Sequence, residues 1–245
     1  MARSDATAAG RRLVIFDFDG TLANTVPAIM GTARTVLARH GLDDEAMGDL
    51  TRLVGPPFPQ AYEWVYGFSP EEAAQITAEY RAIYNEIGAA AWPLFPGVRD
   101  MLERVRAAGR LMAVASSKQM RMIARALDDD GISDLFDVAL GKTSDEEGDK
   151  VSLIRHAMRE LGVGPDETVM VGDRHHDVDA AAACGVPCVG VTYGGAARPG
   201  ELEEAGACEL ADTVEQLAHV LLGTRWACAR RPLVPLGGNV PLPNG

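Results

Sequence analysis

The sequence predicts an α/β fold in which a set of helices is inserted into a core built on a parallel sheet. Short apolar segments rich in Val, Leu, Met and Ala alternate with segments of helical period across residues 98–222. A similar apolar segment lies near the N-terminus, and only helical patterns separate it from the others. Strands that alternate with helices at this spacing form parallel sheets with helices on both faces.

The first predicted strand covers residues 13–16, where apolar and β-branched side chains lead into a turn rich in Asp and Gly. From Thr25 to about Ala91 the apolar positions follow a helical period, and no convincing strand interrupts them. Within this stretch, Ser69 followed by Pro70 and two glutamates is typical of a helix N-terminus. The stretch is therefore predicted to form a four-helix-like cap.

The rest of the predicted core follows residue 92. Its strands are the apolar stretches at 111–115, 138–140, 168–171 and 188–191. Its helices are predicted at 98–108, 120–127, 151–161, 178–184 and 214–222. These boundaries divide the chain into a Rossmann-like parallel-sheet core (1–23 and 93–223), a helical cap (24–92) and an irregular C-terminal tail (224–245) that carries arginines, prolines and glycines.

The charge of the chain limits the kind of partner it is expected to have. The formal net charge is -12. A general binder of nucleic acid or of an anionic membrane has a basic surface, so neither partner is expected. No apolar stretch is long enough to cross a membrane. The four cysteines contain no CxxC pair and are expected to be reduced thiols in a cytoplasmic protein: Cys184, Cys188, Cys208 and Cys228.

Functional side chains follow the ends of four predicted strands. In an open α/β sheet, ligands bind beyond the carboxyl ends of the strands, so these side chains are expected to converge at one edge. They are Asp17 and Asp19 after the first strand, Ser116 after the second, Lys150 after the third, and Asp173 and Asp177 after the fourth.

Each of these residue types has a role in phosphoryl transfer. A carboxylate such as Asp17 can attack phosphorus and form an aspartyl-phosphate. A second carboxylate, Asp19, can protonate the leaving oxygen and later activate water. Because the substrate is an anion, a divalent metal and a lysine are needed to neutralise charge. Mg²⁺ prefers oxygen ligands, and Asp17, Asp173 and a backbone carbonyl near Asp19 can supply them.

The same residues resemble the four motifs of the haloacid dehalogenase-like hydrolase superfamily, in the family's order. The match extends over residues 11–222, and the insertion between the first two motifs resembles a type 1 helical cap. Gly55-Pro56-Pro57 within it resembles the cap of the phosphoglycolate phosphatase-like branch. The four motifs are Asp17-Phe18-Asp19-Gly20-Thr21-Leu22, Val114-Ala115-Ser116-Ser117-Lys118, Lys150, and Val171-Gly172-Asp173-Arg174-His175-His176-Asp177.

The resemblance implies a role for each matching residue. Asp17 would be the nucleophile and a Mg²⁺ ligand, and Asp19 the general acid/base whose carbonyl also binds the metal. Ser116 and Lys150 would hold the transferring phosphoryl group. Asp173 would bind Mg²⁺, Asp177 would be a ligand or a partner of the ligands, and Gly20 and Ser117 would donate backbone N–H groups to the phosphate.

The predicted function is a Mg²⁺-dependent phosphatase that hydrolyses a small phosphorylated metabolite: a phosphoglycolate-like compound, a sugar phosphate or a nucleotide. Related dehalogenases lack an acid at the position of Asp19, and related phosphonate-cleaving enzymes need a cap lysine, which residues 24–91 lack. Two alternatives remain open: a phosphotransferase or phosphomutase that passes the phosphoryl group to another hydroxyl, and a non-catalytic interaction protein.

Several residues also have a second interpretation. Ser116 and Asp177 can act as helix caps, Lys150 can pair with Asp149 or Glu147 at the surface, and Lys118 is the alternative phosphate-binding lysine. One of His175 and His176 can contact the substrate or the cap. In the cap, five residues are candidates for contacting the substrate: Arg34, Arg52, Tyr62, Trp64 and Tyr66.

Overall fold

The fold is organised around one parallel sheet of six strands, in the order β3-β2-β1-β4-β5-β6. The structure is a computed structural model that describes residues 7–144 and 149–224. The predicted α/β architecture with a parallel sheet is confirmed. The strands are β1 (Leu13–Phe16), β2 (Leu111–Gln119), β3 (Val138–Lys142), β4 (Thr168–Gly172), β5 (Cys188–Val191) and β6 (Glu209–Ala211).

Helices surround the sheet and also fill the long connection between β1 and β2. That connection contains α1 (Val26–Arg39), α2 (Asp44–Met47), α3 (Gln60–Tyr66), α4 (Pro70–Ile87) and α5 (Val98–Ala107), with short 3₁₀ turns at Leu50–Leu53 and Gly88–Ala91. The later helices are α6 (Met120–Asp129), α7 (Lys150–Glu160), α8 (His175–Ala183), α9 (Glu201–Ala205) and α10 (Val214–Leu222).

The central strands are buried on both faces, as expected for a parallel sheet covered by helices. Side chains alternate along β1: Leu13 and Ile15 belong to one apolar cluster, and Val14 and Phe16 to another. In the register of the sheet, Phe16 lies between Val114 of β2 and Val171 of β4. β1 and β4 end next to each other, whereas β2 runs on to Gln119, past its predicted end at residue 115. The residues that come after Phe16, Val114 and Val171 therefore meet at one edge of the sheet.

The helices between β1 and β2 share an apolar interior with one face of the sheet. Val36 of α1 and Ile76 of α4 are fully buried and belong to the same cluster as Phe16. The predicted helix start is confirmed: Glu72 N donates to Ser69 Oγ, and the Glu72 carboxylate accepts from Ser69 N. The division into core, cap and tail at the stated residues stays a prediction, and residues 225–245 of the tail lie outside the described residues.

The structure differs from the sequence prediction in a few elements. The helix α9 and the edge strand β6 were not predicted, because five and three residues are too few to show a period. Helix α8 begins at His175, earlier than predicted, since its first turn is polar. Cys184, Cys188 and Cys208 are free thiols, and Cys228 lies outside the described residues. Within the described ranges, no helix has the length and apolar character that crossing a membrane requires.

Candidate active site

Three carboxylates that follow β1 and β4 meet in a buried cluster at the carboxyl edge of the sheet. Asp17, Asp173 and Asp177 each place a carboxylate oxygen within 4.8 Å of the others, and all three side chains are buried. Asp17 N donates to the carbonyl of Val171 at 2.9 Å, which extends the strand pairing by one residue and fixes where its side chain lies.

Two glycines make room for this cluster. A Cβ atom at Gly20 would lie 2.1 Å from Asp173 Oδ2, and one at Gly172 would lie 2.2 Å from Asp177 Cγ. Gly20 also has φ of +75°, a left-handed conformation that other residues rarely adopt. Carboxylates can therefore approach the backbone at both positions only because these residues have no side chain.

Lys150 binds inside the cluster. Its Nζ lies 2.8 Å from Asp17 Oδ2 and 2.5 Å from Asp177 Oδ1. The alternative surface pairing with Asp149 is not observed, and Asp149 instead caps α7 by accepting from Ser152 N at 2.9 Å. The other alternative partner, Glu147, lies outside the described residues. Burial lowers the pKa of Lys150, but the attraction of Asp17 and Asp177 outweighs it and the pKa is raised overall. The ammonium therefore stays charged at neutral pH.

One lysine does not balance three buried carboxylates. Burial raises the pKa of Asp17 to about 6, Lys150 lowers it and Asp177 raises it again. Burial, Asp177 and Asp17 raise the pKa of Asp173 well above its usual value. Moreover, Asp17 Oδ1 and Asp173 Oδ2 are buried without a hydrogen-bond partner. An excess of negative charge with unpartnered oxygens is what a divalent cation compensates, so the residues fit a metal site.

Asp19 lies apart from this cluster and pairs with Lys118. The Lys118 Nζ atom lies 2.8 and 3.2 Å from the two carboxylate oxygens of Asp19. It also donates to the hydroxyl of Tyr84 in α4 at 3.3 Å. Lys118 is thus an ion-pair partner of the predicted acid/base in this structure. The proposed metal contact of Asp19 through its backbone carbonyl stays a prediction.

Ser116 and Ser117 lie beside the carboxylates and line the same cleft as Asp17 and Asp19. Ser116 is not the cap of the next helix, because α6 is preceded by Gln119 and has no side-chain cap. Asp177, by contrast, does accept a hydrogen bond from the backbone N–H of Arg174 at 3.1 Å while it binds Lys150. Its two interpretations, helix cap and member of the site, are therefore compatible.

The cleft above the carboxylates is bounded by the helices and loop that follow β1. The wall that these helices and this loop form is largely apolar and aromatic, with Arg81 and Asn85 as its polar side chains. Tyr80 and Tyr84, one turn apart on α4, stack at 5.5 Å, and Phe58 packs edge-on against Tyr80 at 4.9 Å. The full set on this wall is Ile29, Leu53, Gly55, Pro56, Phe58, Tyr80, Arg81, Tyr84 and Asn85.

None of the five candidates that sequence analysis named in the cap lines this cleft. Tyr62 stacks on Phe58 inside the cap, and Tyr66 donates its hydroxyl to the carbonyl of Met47. Trp64 is 67% exposed at the surface. Arg34 pairs with Asp44, and Arg52 donates to the carbonyl of Asp49. The i, i+4 spacing of Tyr80 and Tyr84 was the available sign that these two share a helix face.

The paired histidines face different partners. His175 places Nδ1 2.9 Å from Glu201 Oε1. His176 packs against the cap, where a Cβ atom at Gly55 would lie 3.5 Å from its Cδ2. Burial lowers the pKa of His176 to about 4, and electrostatic interactions with His175 and Arg174 lower it further. The interpretation that one histidine contacts the cap therefore applies to His176.

Comparison with known proteins places these residues in a family context. The family model described as "Haloacid dehalogenase-like hydrolase" matches residues 14–191, which include every residue of the site. The tyrosine-protein kinase PtkA of Mycobacterium tuberculosis is 40% identical over 195 residues, covering 78% of this chain and 66% of that protein. The chain thus spans just under two thirds of the length of that relative.

Other relatives are named phosphatases. A 5′-nucleotidase of Pseudomonas aeruginosa is 33% identical, covering 74% of this chain and 82% of that protein. A phosphoglycolate phosphatase of Pseudomonas putida is 31% identical, covering 75% and 70%. Among solved structures, a predicted phosphatase from Clostridium acetobutylicum superposes with a TM-score of 0.80 at 29% identity, covering 87% of this chain and 99% of the other. These names are consistent with the predicted phosphoric monoester hydrolase.

Proposed function

This chain belongs to the haloacid dehalogenase-like hydrolase family, and we propose that it is a Mg²⁺-dependent phosphatase that uses Asp17 as its nucleophile. The observation that carries the proposal is the state of Asp17: it is buried at the base of a cleft, with Oδ2 on Lys150 and Oδ1 without a partner. A buried carboxylate oxygen without a hydrogen-bond partner destabilises the folded state, so its presence indicates a functional role.

The proposed reaction has two steps on Asp17. A carboxylate oxygen of Asp17 attacks phosphorus, the bond to the leaving oxygen breaks, and Asp19 gives that oxygen a proton. Water then attacks the aspartyl-phosphate, Asp19 takes a proton from the water, and inorganic phosphate leaves the restored Asp17. Because Asp19 pairs with Lys118 in the structure, it must exchange that lysine for the leaving oxygen in the first step.

Charge neutralisation accompanies both steps. Lys150 is positioned to contact a phosphoryl group bound to Asp17, with Ser116 and the N–H groups of Gly20 and Ser117 as further donors in the proposal. Asp17, Asp173 and Asp177, with the carbonyl of Asp19, would hold Mg²⁺, which when bound offsets the negative charge of the carboxylates and phosphate. The helices α1 and α4 contribute Ile29, Tyr80 and Tyr84 to the wall of the cleft, and in the proposal they limit the entry of water.

The cleft wall favours a leaving group larger than a two-carbon acid. Phe58, Tyr80 and Tyr84 offer apolar surface on which a sugar or base can pack. A 5′-nucleotidase is among the relatives, so nucleotides and sugar phosphates lead the proposed substrates. Phosphoglycolate, the substrate named by another relative, would place its second anion near Arg81.

Transfer to another hydroxyl is the second candidate, and the relative named tyrosine-protein kinase favours it. The same aspartyl-phosphate would be attacked by an acceptor hydroxyl in place of water. A non-catalytic interaction protein is less well supported, since it would keep three buried carboxylates and a buried lysine with no reaction to use them.

The proposal is tested by phosphate release from a panel of nucleotides, sugar phosphates and phosphoglycolate, with Mg²⁺ and with EDTA. We expect Asp17→Asn to lower kcat by at least about 10³-fold, because the amide is a poor nucleophile. Asp134→Asn, a change at an exposed aspartate that does not line the cleft, is the matched control. Full turnover by Asp17→Asn would contradict the proposal. If Asp17 became phosphorylated by the substrate but no inorganic phosphate was released, the result would favour transfer to an acceptor hydroxyl over hydrolysis.

A further inference from the structure

A buried ion pair next to the site joins the sheet edge to the loop that forms part of the cleft wall. Arg174 directly follows Asp173, and its Nε lies 2.8 Å from Glu201 Oε1. Both residues are buried, with 7% and 6% of their surface exposed. Charged groups are kept in such places only with their hydrogen bonds satisfied. The proposed reaction uses neither residue.

The other end of the Arg174 guanidinium reaches across to the cap. Its Nη1 donates to the backbone carbonyl of Thr51 at 3.2 Å and to that of Val54. These carbonyls belong to the loop of residues 50–58, which we call the wall loop. At Gly55 the loop lies directly on the core, because a Cβ atom there would come within 3.3 Å of Arg174 Cγ.

The wall loop contributes directly to the cleft. Leu53, Gly55, Pro56 and Phe58 all line it. We propose that Arg174 is a positioning residue that holds the wall loop over the cleft, with Glu201 orienting its guanidinium, and that this pair sets how tightly the leaving group is held. The inference rests on the proposed function for its kinetic part and on the structure alone for its positioning part.

Glu201 is well placed to orient the guanidinium because its own carboxylate is fixed on both oxygens. Its Oε1 also accepts from the backbone N–H of His175 at 3.1 Å, and Oε2 accepts from Arg198 N at 3.1 Å. Burial alone would raise the pKa of Glu201, but hydrogen bonds from Arg174 and His175 lower it to about 2. A planar guanidinium can bind a carboxylate with one edge and backbone carbonyls with another, which an ammonium cannot do.

The effect on catalysis follows from what the wall loop touches. Its residues line the cleft, whereas Lys150, Asp173 and Asp177 are not among the lining residues. In the proposal, the leaving group lies against the wall loop. Loss of Arg174 should therefore raise KM by about tenfold for a nucleotide or sugar phosphate, while kcat changes by less than about threefold. Acetyl phosphate, whose leaving group is small, should keep its kcat/KM within about twofold.

The test compares Arg174→Met, Arg174→Lys and the double variant Arg174→Met/Glu201→Met with the unaltered protein. Backbone hydrogen exchange is measured by mass spectrometry on peptides covering residues 50–58, without substrate or metal. We expect exchange there to be about tenfold faster in Arg174→Met and in the double variant, with peptides of α10 unchanged. The double variant leaves no buried unpaired charge, so it tests positioning even where Arg174→Met fails to fold. Arg174→Lys keeps the charge beside Glu201 and should show the smallest increase.

Arg198→Met is the matched control, because Arg198 pairs with Glu204 at the surface and its side chain is 60% exposed. It should leave exchange and KM unchanged. Exchange at 50–58 that stays as in the unaltered protein, in both the double variant and Arg174→Lys, would overturn the proposal. The proposal would also be overturned if the increase in KM came with a parallel increase in the Mg²⁺ concentration needed for activity, because the effect would then be due to Asp173. If the unaltered protein released no phosphate, the proposed function would fail while the exchange result still decided the positioning role.

Discussion

The floor of the cleft and its cap-side wall are built on different principles. The floor consists of charged side chains that follow strand ends, held at distances such as the 2.8 Å between Lys150 and Asp17. The wall consists of apolar rings on helices and a loop, packed at distances such as the 4.9 Å between Phe58 and Tyr80. Hydrogen-bonded charges tolerate little displacement, whereas apolar contacts tolerate substitution of similar volume. The floor is thus suited to fixed chemistry and the wall to variable substrate preference.

The comparison is tested most strongly at Gly20, which belongs to the floor. In Gly20→Ala the new Cβ would meet Asp173 Oδ2, 2.1 Å away in the present structure, and push that carboxylate from its place. We expect kcat/KM to fall by about 10²-fold for every substrate, because a shift of this size disrupts the reacting geometry. Steady-state kinetics over the substrate panel measures it.

Gly109→Ala controls for the backbone strain of that change. Gly109 has the same φ of +75°, yet a Cβ atom there meets nothing within 4 Å. It should lose about 1 kcal/mol of unfolding free energy and keep its turnover. Equal losses of activity in the two variants would mean that strain, and not the close approach to Asp173, explains the result.

A smaller and more selective effect is expected at Phe58, which belongs to the wall. Phe58→Ala removes the ring that contacts Tyr62 and Tyr80, so KM for nucleotides or sugar phosphates should rise about tenfold with little change in kcat. Unfolding free energy should fall by about 2 kcal/mol. Trp64→Ala, which removes an aromatic side chain that is 67% exposed, should change neither. A fall in kcat for acetyl phosphate in Phe58→Ala would contradict the division between floor and wall.

The smallest effect concerns the charge of the floor in metal-free protein. Burial raises the pKa of Asp17 from 3.8 to about 6, so the folded state takes up this proton more readily than the unfolded state. Lowering the pH from 7.5 to 5 should therefore add about 1 kcal/mol to the free energy of unfolding in EDTA. Asp17→Asn lacks this titration, and the difference between the two proteins in urea titrations isolates it. An identical pH dependence in both would contradict the raised pKa.

Local sequence was sufficient for much of the fold because its signals act over a few residues. The apolar run before Asp17 predicted β1, and the Ser69 capping pattern predicted the start of α4. The order of carboxylates after strand ends was enough to bring Asp17, Asp173 and Lys150 into one expected site, since parallel strands end at the same edge. The observed grouping of Asp17, Asp173 and Asp177 follows from the register of the strands more than from any single residue.

Contacts between distant parts of the chain could not be predicted from local sequence patterns. Nothing in the local pattern distinguished Tyr80 and Tyr84, which line the cleft, from Tyr62, which is buried in the cap. The pairing of Lys118 with Asp19 joins residues 99 positions apart. Glu201 lies in a helix of five residues, which is too short to show a helical period in the sequence. The sequence therefore did not predict its pairing with Arg174, and it showed only that Arg174 is adjacent to Asp173.

The sequence by itself determined the parallel-sheet core, the inserted helices and the set of acidic and basic residues at the strand ends. Each depends on side-chain period, capping or strand order, which short segments carry. Only the tertiary structure decided which cap side chains face the cleft and that Arg174 reaches the carbonyls of Thr51 and Val54. Those features depend on how helices rotate and loops lie against the sheet, and this is set by packing summed over the whole interior.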